Sequence, residues 1–396
     1  MNNEKRLVPK LRFPEFTHAW EQRKLGEAFV QTSEYINPKK HNAELWSLTV
    51  ENGLTPKTER YQRDFLVKKE DSFKLVHTNE FVYNPMNMTL GAVGYNDMPY
   101  SVAISGYYVT MKTSHITDDL YMKVWLKTSQ AISLYKENAT GSLIEKQRVQ
   151  FNTFSKIQFH LPNPQEQQKI GTFFTALDRY ITIHQRKLEN IQKLKKSLLQ
   201  KMFPKNDQEF PEIRFPEFTY AWEQRKLGEV VEIIMGQSPN SENYTNNPKD
   251  HILVQGNADI KNGKVFPRTW TTQITKIGKK NDLVMSVRAP VGDMAKTDYD
   301  VVLGRGVCAI RGNEFIFQLL NKMKINGYWN TLSTGSTFES INSNDIKNAQ
   351  ISIPLPIEQQ KISTFFTALD RYITIHQRKL ENMQKLKKSL LQQMFV

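Results

Sequence analysis

"EQQKIGTFFTALDRYITIHQRKLENIQKLKKSLLQKMF", Glu166 to Phe203, returns at Glu358 to Phe395 as "EQQKISTFFTALDRYITIHQRKLENMQKLKKSLLQQMF", changed only at Gly171/Ser363, Ile191/Met383 and Lys201/Gln393. In the first copy Ile170, Phe174, Leu177, Ile181, Leu188, Ile191 and Leu198 fall mostly three or four apart, and Ile362, Phe366, Leu369, Ile373, Leu380, Met383 and Leu390 repeat the pattern in the second. This spacing predicts one apolar stripe along a helix, interrupted where Lys195 takes a stripe position. At 1.5 Å per residue the segment makes a rod of roughly 57 Å. An isolated helix of this kind needs a partner to bury its stripe, and the other copy, packed antiparallel, is the obvious one. Phe173, Tyr180 and Ile183 lie beside the stripe and widen it enough for a third element to pack there. At the start, Asn163 is placed to cap the helix, Pro164 suits its first turn and Glu166 completes a capping box. The second copy has Leu355 at the cap position, so its start is expected to be less well specified.

A second repeat accompanies the first. "PKLRFPEFTHAWEQRKLGE" at 9–27 and "PEIRFPEFTYAWEQRKLGE" at 211–229 match at 16 of 19 positions. The chain is therefore two copies of a unit, each a lead-in motif, a variable middle and a long helix. The middles, about 28–162 and 230–354, share only landmarks in the same order. "EFVYNP" (80–85) stands opposite "DLVMSV" (282–287), "GAVG" (91–94) opposite "APVG" (289–292), and "ISGYYVTMK" (104–112) opposite "LGRGVCAIR" (303–311). "TGS" occurs at 140–142 and 334–336. Short β-branched and aromatic runs bounded by Gly, Pro and Asn turns predict that each middle is the same strand-rich mixed domain with different loops. The fold class is thus α+β, with two long helices separating two strand-rich domains related by a pseudo-twofold repeat. A polar stretch at 204–212, bounded by Pro204 and Pro211, links the units.

The chain carries 54 Lys and Arg against 40 Asp and Glu, a net charge of +14, which favours a polyanionic partner such as nucleic acid. The helices hold most of it: net +5 in the first copy and +4 in the second. Cations towards the helix C-termini also complement the helix dipole. Cys308 is the only cysteine, which excludes an internal disulfide and a cysteine-based metal site and fits a reducing cytosol. No run of about 18 apolar residues marks a membrane span.

The motifs of a DNA-acting enzyme are missing from the sequence. There is no Walker A pattern and no two-histidine metal spacing, and "NPMN" at 84–87 lacks the second proline and the aromatic of an amino-methyltransferase tetrad. No catalytic or metal-binding residue is assigned. Residue types that read base edges or hold phosphates do occur on the loops of both middles. In the first these are Lys57, Arg60, Arg63, Asn84, Asn87, Thr140, Ser142, Lys146 and Arg148. In the second they are Gln237, Ser238, Tyr244, Gln255, Asn257, Lys261, Arg288, Arg305, Thr334 and Ser336.

The two "WEQRKLGE" lead-ins (20–27 and 222–229), the "GQSP" at 236–239, "SVRAPVG" at 286–292, the "TGS" segments running on into "LP", and the twin "EQQKI" helices together resemble the specificity subunit of type I restriction-modification systems. The resemblance covers essentially the whole chain. It implies a first target-recognition domain with its lead-in over 1–163, a conserved central helix over 164–203, a linker over 204–212, a second target-recognition domain over 213–354 and a conserved C-terminal helix over 355–396. It further implies a non-catalytic, cytoplasmic DNA-binding subunit for an asymmetric bipartite double-stranded DNA target, with the helices setting the spacer. Two copies of a methyltransferase (modification) subunit carrying S-adenosylmethionine, and restriction/translocase subunits using ATP and Mg2+, are the implied partners. No cofactor is expected in this chain. The competing reading from residues alone is a stand-alone DNA-binding regulator or architectural protein.

Overall fold

The computed structural model describes residues 8–41, 43–57, 73–141, 147–205, 208–332 and 340–396. Its helices and strands fall into two compact units: Met1–Gln185 together with Lys379–Val396, and Arg186–Arg378. Each unit therefore takes its long-helix segments from both repeats.

In the first unit, Trp20 is buried and the lead-in strand Glu21–Lys24 pairs antiparallel with Gln158–Leu161. One helical turn, Leu25–Ala28, buries Leu25 and Ala28 and turns the chain into Phe29–Thr32. That strand edges a four-stranded sheet whose order continues through Val109–Thr113, Phe81–Tyr83 and Val93–Tyr95. The helix Asp119–Trp125 starts where the Asp118 carboxylate accepts the Tyr121 N–H, which satisfies one of the free donors of its first turn. The second unit is built alike. Glu223–Lys226 pairs with Gln350–Ile353, Leu227–Val230 makes the same turn, and Glu232–Met235 edges a six-stranded sheet continuing through Val307–Arg311 and Leu283–Ser286. Its counterpart helix, Glu314–Ile325, is capped by Asn313.

The long helices span Pro164–Lys201 and Pro356–Gln393. The Asn163 side chain accepts the Glu166 N–H at 2.9 Å, as expected of a cap. Glu166 does not close a capping box, however. Arg12 donates to both of its carboxylate oxygens at 2.7 Å, and the carboxylate is fully buried. Arg214 grips Glu358 in the same bidentate way, also at 2.7 Å. The second helix begins at Pro356, in register with Pro164, although Leu355 supplies no side-chain cap. A charge pair with both partners fixed in one fork is the geometry that compensates burial.

Within each unit the two helix segments run antiparallel. In the first, Asp178 pairs with Lys387, and Lys379 lies 5.5 Å from the Tyr180 ring centre. In the second, Lys195 pairs with Asp370 at 2.6 Å and Lys187 lies 5.6 Å from the Tyr372 ring centre. The break in the apolar stripe at Lys195 is thus the site of an ion pair. Ile170 and Phe174 enter the first unit's core, with Leu177 and Leu390 packed against it; Ile362 and Phe366 enter the second's, with Leu369 and Leu198. Leu188 and Leu380 are buried, while Ile181, Ile191, Ile373 and Met383 are half-buried.

The end of each repeated segment turns into the unit opened by the other repeat's lead-in. Phe395 sits 6.4 Å from Trp20, 5.8 Å from Tyr121 and 5.9 Å from Phe174, ring centre to ring centre. Phe203 sits 5.9 Å from Trp222, 5.3 Å from Phe315 and 6.1 Å from Phe366. The linker follows the same surface, with Lys322 Nζ donating to the Pro204 carbonyl at 2.8 Å and Ile213 N–H to the Lys201 carbonyl at 2.9 Å.

One landmark shifts. Asn84 N–H donates to the Ala92 carbonyl and Ser286 N–H to that of Asp293, so Gly91 corresponds to Gly292, and "GAVG" and "APVG" are not equivalent tetrapeptides. Both glycines have the left-handed backbone, φ 86° and 84°, that the turn before the next strand requires.

Replacing Phe395 by Ala should destabilise the first unit by about 3–5 kcal/mol, and Phe203→Ala the second by a similar amount. Urea unfolding measures both; a loss below about 1 kcal/mol in either would contradict the burial described.

Candidate nucleic-acid interface

In the second unit several backbone stretches meet beyond the ends of the sheet strands. Gly236 N–H donates to the Val307 carbonyl at 3.0 Å, Gln237 N–H to Leu303 at 2.8 Å, and Gly304 N–H to Val254 at 2.7 Å. The Ser238 hydroxyl accepts the Arg305 N–H at 3.0 Å. This approach demands glycine, because a Cβ on Gly236 would run into the Gly304 carbonyl and one on Gly306 into the Gln255 carbonyl. Val287 N–H then donates to the Gly306 carbonyl at 2.9 Å, and Ile341 N–H to the Val287 carbonyl at 3.0 Å, which sets Arg288 opposite Ser340. Gln237, Ser238, Gln255, Arg288 and Arg305 are thereby gathered around touching loops. Arg288 and Arg305 are exposed, and among the described residues neither guanidinium has a hydrogen-bond or ion-pair partner.

The first unit uses the same frame. Phe81–Tyr83 pairs with Val109–Thr113 as Leu283–Ser286 pairs with Val307–Arg311. Val149 N–H donates to the Pro85 carbonyl at 2.9 Å, and Arg148 and Thr140 exchange two backbone hydrogen bonds of 2.9 Å. Asn84, Asn87, Thr140 and Arg148 are thus brought together. The Asn84 side-chain oxygen accepts the Met86 N–H at 3.0 Å and so shapes its own loop, leaving Asn87 and Arg148 exposed.

Other candidates lie elsewhere. Lys57 is half-buried, its ammonium 5.9 Å from the Phe73 ring centre. Tyr244 is on Tyr244–Thr245, an edge strand of a five-stranded sheet. Asn257 opens the 3-10 turn Asn257–Asp259, and Lys261 lies on the hairpin beyond it with its ammonium 5.5 Å from the Phe266 ring centre. Arg60, Arg63, Ser142, Lys146, Thr334 and Ser336 fall outside the described residues. Met86 and Ser340, which sequence reasoning passed over, stand beside the gathered groups, and Tyr107 tips the turn between Ser105 and Tyr108. Only the aligned hydrogen-bond registers reveal them.

A second surface repeats on the helices. Phe173 and Phe365 are each 37% exposed, Tyr180 and Tyr372 are 42% and 41%, and Ile183 and Ile375 are 52% and 53%. The lead-in of each repeat packs edge-on against the first of these rings, Phe13 6.0 Å from Phe173 and Phe215 6.3 Å from Phe365, as the widened stripe suggested, while Tyr180, Ile183 and their counterparts stay exposed.

Burial pushes the Cys308 thiol up to about 12, so it is not a nucleophile near neutral pH. Among the described residues no group of three or more His, Cys, Asp and Glu is placed to hold a metal ion, and no helix is long and apolar enough to cross a membrane.

The sequence model of the type I restriction modification DNA specificity domain matches residues 19–193 and 220–385. A putative type I restriction enzyme MjaX specificity subunit from Methanocaldococcus jannaschii is 29% identical over 274 residues, which cover 65% of this chain and 64% of that protein. The MjaVIII specificity subunit from the same organism is 24% identical over 300 residues, 70% of this chain and 69% of its own. Two solved structures share the fold. The type I restriction-modification system S subunit from M. genitalium has a TM-score of 0.65 at 14% identity, covering 98% of this chain and 99% of its own. A chain from a study of complex assembly and conformational transition of the type I R-M system has a TM-score of 0.57 at 18% identity, covering 94% and 96%.

Gly306→Ala should lower stability by about 1–3 kcal/mol, since the Gln255 backbone must move. Gly256→Ala, with nothing within 4 Å of the added methyl, should change it by no more than about 0.5 kcal/mol. Thermal melting compares the two; equal effects would contradict the close packing of these loops.

Proposed function

The chain belongs to the type I restriction modification DNA specificity family, and from that premise we propose that it reads an asymmetric, bipartite double-stranded DNA target, one half-site per unit. The observation that carries this reading is the contrast between frame and loops. Arg12–Glu166 and Arg214–Glu358, Asp178–Lys387 and Asp370–Lys195, Phe395 on Trp20 and Phe203 on Trp222 are the same contacts made twice. The loops set on that frame carry Asn87 and Arg148 in one unit and Gln255, Arg288 and Arg305 in the other. Two equal frames suit two equal partners; two unequal loop sets suit two unequal half-sites.

The chain acts, in this proposal, without chemistry of its own. Two copies of a methyltransferase subunit dock on the helix faces that expose Phe173, Tyr180 and Ile183 and their counterparts Phe365, Tyr372 and Ile375, and restriction/translocase subunits join them. S-adenosylmethionine belongs to the methyltransferase, and ATP and Mg2+ to the restriction partner. The complex works in the cytoplasm, where its DNA lies, and the helices set the spacer between the half-sites.

Co-expression with a type I methyltransferase subunit, followed by mapping of methylated adenines, should give one split motif. With four residues inserted at matched points in both helices, the spacer should lengthen by about two base pairs, since the insertion adds about 6 Å of helix. Methylation without sequence preference, or a continuous motif, would overturn the reading.

A further inference from the structure

One arginine recurs beside the same backbone hydrogen bond in both loop sets, although the segment that supplies it differs. The Val149 to Pro85 hydrogen bond of the first unit corresponds to the Ile341 to Val287 bond of the second, so Met86 corresponds to Arg288 and Arg148 to Ser340. The first unit thus offers Arg148, bridged to Thr140, on one side of this hydrogen bond with Met86 on the other, and the second offers Arg288 opposite Ser340. Either way, one exposed arginine stands one residue from this hydrogen bond, supplied by opposite partners of it.

The turn next to it behaves differently. Tyr108 N–H donates to the Ser105 carbonyl at 3.1 Å and Val307 N–H to the Gly304 carbonyl at 3.2 Å, so the same β-turn is present in both units. Its two tip residues are Gly106 and Tyr107 in one and Arg305 and Gly306 in the other. Tyr107 is 44% exposed and Arg305 is exposed. In the second unit the Val287 to Gly306 hydrogen bond joins this turn directly to the residue before Arg288.

Two readers of different half-sites share the backbone of DNA and differ in the bases they face. We propose that Arg148 and Arg288 are equivalent anchors on a backbone phosphate, and that the adjoining turn, tipped by Tyr107 in one unit and Arg305 in the other, selects bases. This division rests on the DNA-reading function proposed above. Guanidinium suits a phosphate through paired N–H donors, and such contacts position a reader without carrying sequence information. A turn tip that changes from a phenol to a guanidinium changes which base edges it can satisfy.

The test uses the full chain assembled with its methyltransferase subunits, with binding measured on target and unrelated duplexes over a series of salt concentrations, and methylated adenines mapped for each variant. Arg288→Met should weaken binding to both duplexes on the order of tenfold, reduce the salt slope by about 0.9, and leave the motif unchanged. Adding Ser340→Arg to R288M should restore affinity and slope, because the guanidinium is then supplied by the residue bridged to position 288. Arg148→Ser should behave as R288M does, and Met86→Arg should rescue it. Arg305→Ala should instead relax the motif at a base of one half-site. An altered motif in R288M or R148S, an unchanged salt slope, failure of both rescues, or an unaltered motif in R305A would each overturn the assignment. Unmutated complex that shows no preference between the duplexes would remove the underlying reading, and this assignment with it.

Discussion

The burial of Phe395 against Trp20, and of Phe203 against Trp222, is the constraint on which the rest of the molecule depends. Each phenylalanine ends one repeated segment and completes the core that the other repeat's lead-in begins. Fully burying such a side chain contributes about 1.5–3 kcal/mol, and each one is joined by its preceding methionine, Met394 or Met202. Neither compact unit can be assembled from one repeat alone, because each holds a long-helix segment from both.

That requirement explains why the helices have stayed nearly identical. Asp178 of the first copy pairs with Lys387 of the second, and Asp370 of the second with Lys195 of the first, so a change in either copy breaks an ion pair with the other. The lead-ins are bound by the same logic, since Arg12 and Arg214 must each meet a buried glutamate at a helix start. The loops face no such condition. Beyond the strands that hold them, the frame dictates glycines at close approaches, such as Gly236 and Gly306, and the left-handed Gly91 and Gly292. The surface free to vary is therefore the one proposed to read DNA, and the surface held constant is the one proposed to meet equal partners.

Much of this was legible in the residues. The 3.6-residue periodicity marked both helices, the repeats marked the two-unit organisation, and "WEQRKLGE" marked a shared start. What periodicity could not convey was where a helix ends up. Phe203 and Phe395 look like the last turn of a stripe, and nothing in their spacing says that they close a core across the chain. Glu166 looked like half of a capping box because Arg12 is distant in sequence, and the guanidinium fork wins over a bond to a single backbone N–H. At the candidate interface, Arg288 and Arg305 were visible as basic loop residues, but the correspondence of Arg148 with Ser340 and of Arg288 with Met86 required hydrogen-bond register, which the composition of a loop does not encode.

The interlocked cores can be tested without any partner or DNA. A protease site introduced between Lys205 and Gln208 would let the purified chain be cut into its two sequence repeats after folding. If each unit is completed by the other repeat's helix, the two fragments will co-elute as one species on size exclusion and separate only when denaturant unfolds the units. Fragments that part under native conditions, each retaining a folded unit, would contradict the account.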